Sequence, residues 1–186
     1  MKAVAPRATS AAYNPDMPPM QIVFAPVSAF EHELRVRRAD GSEALSRGET
    51  RSLLRHDLCH LALEASYALE HGFWGLLASG CEFADLAHPD AQLGPDLRGP
   101  ELMQIEGVVA MLQSLSKTIE ASATAGERLW RAFQASAKAQ GQRPPAWLDA
   151  EGLGRARETL RRLEGRWRAT PVGGEMELAW PKLDAS

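Results

Sequence analysis

A chain of 186 residues with 45% apolar and 24% charged residues is sized and composed for one globular domain with one core. A formal net charge of −3 and the lack of any polybasic run exclude nucleic acid and anionic lipid surfaces as expected partners. Two cysteines, Cys59 and Cys81, are too few for a disulfide framework or an all-thiolate metal site. No apolar leader and no apolar run of the ~20 residues a membrane span needs are present, so the expectation is a cytoplasmic protein.

Residues 1–19 are rich in Ala, Pro and Ser without an apolar period, which predicts a disordered tail; residues 20–186 form the expected single domain. Residues 21–25 are a β-prone run stopped by Pro26. Residues 30–38 alternate, with Phe30, His32, Leu34 and Val36 on one face. Asp40-Gly41 is a hairpin turn signal, because a type I′ turn needs positive φ at both central residues. A short third strand over 43–45 completes a meander. The period then becomes helical, with start signals between Ser46 and Ser52 and an expected run to His71, closed by Gly72. Residues 73–79 suit a short returning helix, and 87–100, with three prolines and two glycines, read as a loop. Residues 101–120, 125–140 and 149–168 carry helical apolar stripes, the last with Leu153, Ala156, Leu160, Leu163 and Trp167 on one seam. The interspersed arginines of that helix make a solvated face, and the five tryptophans suit the core. Met176, Leu178 and Trp180 alternate on a final strand whose only available partner is the N-terminal sheet. The expected fold is α+β: a small antiparallel sheet from the N-terminal meander plus the C-terminal strand, packed on about four helices.

The helix after the meander carries the one segment that suggests chemistry. At ~100° per residue, His56, Tyr67, His60, His71, Glu64 and Asp57 share one side, while Leu54, Leu58, Leu61, Ala65 and Leu69 fill the other. Three of the chain's five histidines therefore lie on a face the core does not need. His56 and His60 at i, i+4 place two imidazoles over one patch, the spacing that zinc peptidases use, though Asp57 stands where their motif has Glu. These two are candidate metal ligands, with zinc or another divalent metal as the expected cofactor. On a straight helix Glu64 lies ~12 Å along the axis from His56, too far to share one ion, so it is expected to accept a hydrogen bond from His60 instead. Asp57 and Glu64 are the candidates for general base or orienter. A third ligand must come from the returning chain, where His88 is preferred and Asp85 stands close behind. A Cys59–His60 catalytic pair is disfavoured, because adjacent helical residues point ~100° apart.

His56-Asp57-x-x-His60 resembles the zinc motif of the ubiquinone-biosynthesis family, H-D-x-x-H followed after eleven residues by Glu. Here Gly72 occupies the Glu position, with Glu70 and His71 beside it. The resemblance implies a metal site on an all-helical protein. The stretches RHDLCHLALE, GFWGLLASG and WRATPVGGEMELAWP together resemble a group of bacterial proteins, which implies no activity. The functional expectation is a metal-dependent protein acting on a small molecule as a hydrolase or lyase. The alternatives are a non-enzymatic homodimeric interaction module built on helices 125–140 and 149–168, with a purely structural His/Glu helix face, and a binder of an apolar ligand between helices.

Overall fold

The computed structural model describes residues 19–87 and 100–183. The expected tail over 1–19 thus lies almost wholly outside the described residues, as do His88 and most of the 87–100 loop.

Alternation of apolar and polar side chains sets the sheet. Strands β1 (Met20–Pro26), β2 (Glu31–Arg37), β3 (Glu43–Glu49) and β4 (Met176–Trp180) form one antiparallel sheet in the order β3-β2-β1-β4. Ile22 pairs with Val36 on one side and Leu178 on the other, and Phe24 with Leu34 and Met176. One face is therefore an unbroken apolar layer, while the other carries charges such as Glu33, which meets both Arg35 and Arg47. His32 sits in the apolar layer, its ring centroid 6.1 Å from both Phe24 and Trp167.

Six helices follow among the described residues: α1 (Leu53–Tyr67), α2 (Phe73–Ala78), α3 (Phe83–Ala87), α4 (Pro100–Leu115), α5 (Ala125–Ala139) and α6 (Ala150–Ala169). The α+β class is as expected, with four long helices and two short ones. α1 is the hub, packing on α6, α4 and α2. The apolar faces of α5 and α6 meet each other, close enough that a Cβ at Gly126 would strike the backbone of Ala150 and Gly154.

Both ends of α1 depart from the sequence expectation. Ser46 and Glu49 belong to β3, which runs on to Glu49 instead of stopping at residue 45. The Glu49 carboxylate then accepts the backbone N–H groups of Arg51, Ser52 and Leu53, doing from the strand end what a capping side chain does. At the other end the helix stops at Tyr67, not His71. Ala68 takes a left-handed conformation at φ 53°, and both Ala68 and Leu69 donate to the carbonyl of Glu64. The reversal buries Leu69, and Gly72 serves the start of α2 instead of the end of α1.

Candidate metal centre

The polar side of α1 is not a solvated face. α2 folds back over it and α4 packs alongside, so Asp57, His60 and Glu64 are buried with the leucines. A helix with both sides covered must pair its polar groups internally. It does so in a chain of contacts.

Glu64 has no solvent exposure. Its Oε1 accepts from Nδ1 of His60 at 2.8 Å, and its Oε2 accepts from the backbone N–H of Trp74 at 3.0 Å and of Gly75 at 3.4 Å. This is why residue 72 is glycine: a Cβ there would lie inside the Glu64 carboxyl group. The first turn of α2 thus closes on the carboxylate, and the carboxylate fixes the ring of His60. Burial raises the pKa of Glu64 despite the three donors.

The other edge of the His60 ring faces His56 and α4. The two Nε2 atoms lie 3.1 Å apart. Glu106 on α4 spans them, with Oε1 3.4 Å from Nε2 of His60 and Oε2 3.7 Å from Nε2 of His56. The side chains of His56 and Glu106 are 33% and 41% exposed against 1% for His60, so the cluster is sealed at its Glu64 end and open at its Glu106 end. Phe73, its ring centroid 5.5 Å from that of His60, lines the sealed side. Burial opposes charge on His60, but the flanking Glu106 and Glu64 carboxylates outweigh it and raise the imidazole to about 9. Burial, followed by the repulsion of His60, lowers His56. For Glu106 burial is likewise outweighed, here by the His60 contact, and its carboxyl is lowered.

His56, His60 and Glu106 each offer one ligand atom, all within 4.8 Å of one another, and this group could hold a metal ion. Of the residues singled out from the sequence, the structure brings together His56, His60 and Glu64, the last behind His60. Asp57 points elsewhere: it faces His32, whose Nε2 is 4.0 Å away, and burial pushes its carboxyl up to about 7. Asp85 accepts from the backbone N–H of Glu82 at the start of α3, and no described group places it with the histidines. Of the two others expected on the same side, Tyr67, the last residue of α1, donates to the carbonyl of Asp149 at 2.8 Å, and His71, past the early end of the helix, pairs with Glu101. Glu106 was not among the sequence candidates. A signal existed, since between Glu101 and Lys117 it is the sole charged residue.

An α+β domain with a His/His/carboxylate cluster between two helices is the class these observations define. Comparison of the chain with family profiles, with curated proteins and with solved structures finds no match to narrow it.

Proposed function

We propose that this is a metal-dependent protein acting on a small molecule, with a divalent ion, zinc foremost, held by His56, His60 and Glu106. The spacing of the donor atoms carries this reading. Two nitrogens each ~2.0–2.1 Å from a tetrahedral ion stand about 3.3 Å apart; here the two Nε2 atoms are 3.1 Å apart, and the Glu106 carboxylate straddles them, Oε1 3.4 Å from His60 and Oε2 3.7 Å from His56. Glu64 supplies the outer carboxylate that a ligating histidine usually has. Three protein ligands with an open side toward solvent suit hydrolytic or lyase chemistry, in which the ion polarises substrate or acidifies water. Glu64 is engaged on both oxygens, so it orients His60; Asp57 faces away from the open side.

Metal analysis of the purified chain, with zinc titration of the stripped protein at neutral pH, tests the proposal. One ion per chain, lost in the His56→Ala/His60→Ala double variant, is expected. A parent chain that takes up no zinc, cobalt or manganese sinks it.

One observation favours a second reading. The Glu106–His60–Glu64 sandwich already satisfies the buried imidazole as a charged pair, and a structural helix face in a non-enzymatic, homodimeric interaction module needs nothing more.

A further inference from the structure

A histidine presents a lone pair in a fixed direction only if its other ring nitrogen is held. For His60 the holder is Glu64. Among the described residues no carboxylate stands behind His56, and the neighbouring helix supplies the substitute. Gln113 lies seven residues past Glu106 on α4, about two turns, so both side chains leave the same face toward α1. Its Nε2 donates to the carbonyl oxygen of Ser52 at 3.0 Å, and that same oxygen accepts the backbone N–H of His56 at 2.9 Å. The carboxamide is thereby fixed against the first turn of α1. With its amino group on Ser52, one turn before His56, its oxygen is the atom left to face the His56 ring.

We propose that Gln113 is the positioning residue of His56: its carboxamide oxygen accepts from Nδ1–H and so leaves Nε2, the atom facing His60 and Glu106, as the ligating lone pair. This rests on the metal-site reading and deepens it. α4 then contributes twice to one centre, through Glu106 directly and through Gln113 by way of His56. The two imidazoles are also unequal. His60 is backed by a buried carboxylate, which makes it the stronger donor, and His56 by a neutral amide, which makes it the ligand that lets go first.

Three full-length chains decide the matter: the parent, Gln113→Leu and Gln113→Glu. Each is measured for zinc and cobalt affinity by chelator competition, and for the ring tautomer of His56 by long-range proton–nitrogen spectra of the metal-free protein. Thermal melts confirm that each folds. Gln113→Leu is expected to weaken ion binding by ~10- to 100-fold and to move the His56 proton from Nδ1 to Nε2. Gln113→Glu keeps an acceptor for His56 but loses the donor to Ser52, and it should restore both affinity and tautomer. If Leu leaves affinity and tautomer unchanged, or if Glu is as weak as Leu, Gln113 merely clamps the helices and the proposal is overturned. A parent that binds no ion defeats the metal reading alone, because the tautomer shift still decides the role of Gln113.

Discussion

Two buried polar clusters flank α1, and they differ in how they end. On the α6 side, Arg157 donates from Nε to the carbonyl of Ile119 and from Nη2 to that of Ser116, covering the chain just past the end of α4. Arg55 joins the same group, bonding the Ser116 hydroxyl and pairing with Glu164 at 3.1 Å. Its cations meet carbonyls, a hydroxyl and a carboxylate already present in the fold, although Arg55 Nε, Arg157 Nη1 and Glu164 Oε1 keep no hydrogen-bond partner among the described residues. On the α4 side, the chain from Glu64 through His60 ends at His56 and Glu106, which are half open to solvent and bring two imidazoles and a carboxylate to one spot. A buried network that ends on backbone carbonyls is a structural strut. One that ends in converging donors at the surface is set up to receive something.

Substitutions on each side sharpen that contrast. The largest effect is expected from Glu64→Ala, which strands Nδ1–H of His60 and the Trp74 N–H in a dry site. Chemical denaturation should show a loss on the order of 3–5 kcal/mol, with ion binding abolished. A loss below about 1 kcal/mol would mean that water replaces the carboxylate. Arg157→Met should cost about 2–3 kcal/mol through the two uncovered carbonyls and leave ion affinity unchanged. If affinity falls with stability, the two clusters are one system and the comparison breaks.

A smaller effect appears with pH. The folded state raises Asp57 from 3.8 to about 7 and His60 from 6.5 to about 9, so the folded chain holds both protons more tightly than the unfolded one. The Asp57 contribution is full below its unfolded value and is lost as pH rises through about 7; that of His60 is full below 6.5 and is lost as pH rises through about 9. Denaturation of the metal-free parent and of Asp57→Asn over roughly pH 4 to 9 should therefore show the parent losing stability relative to the variant as pH rises through the Asp57 window, while the lowered His32, His56 and Glu106 pull the other way in both chains. Zinc affinity should run the other way, rising with pH as protons leave the imidazoles. Parallel slopes would contradict the assignment. The smallest change is expected from Glu49→Ala. This removes the acceptor of three N–H groups at the start of α1, on the exposed surface, and should lower the melting temperature by only a few degrees without touching ion binding.

The sheet and the long helices were legible because periodicity records which face is buried. Met176, Leu178 and Trp180 needed a partner strand, and β1 is that strand. The wheel of α1 also separated His56 and His60 from the leucine stripe. It could not reveal that a second layer covers the polar side, since that depends on the reversal at Ala68, where an alanine takes a conformation usually left to glycine. The sequence points to the returning segment for the third donor, with His88 before Asp85, because that segment is expected to run back level with His56 and His60. That donor comes instead from α4, which no local pattern ties to α1. Glu106 lies at the flank of a stripe made by Leu102, Ile105 and Val109, where a carboxylate passes for ordinary surface. Its isolation in a charge-free run is visible only once a reason to look exists.

The reversal at Ala68 also bears on the order in which the molecule assembles. His56, His60, Glu64 and Trp74 lie within one short stretch of chain, so their loop closes at little entropic expense and can form early. Glu106 arrives from a helix more distant in sequence, and its side chain is partly exposed. An ion bridging α1 to α4 would fasten that late-docking helix to the early hairpin. Amide hydrogen exchange along α4 should then slow on zinc addition far more than exchange along α2, where the Glu64 carboxylate already holds the first turn in place.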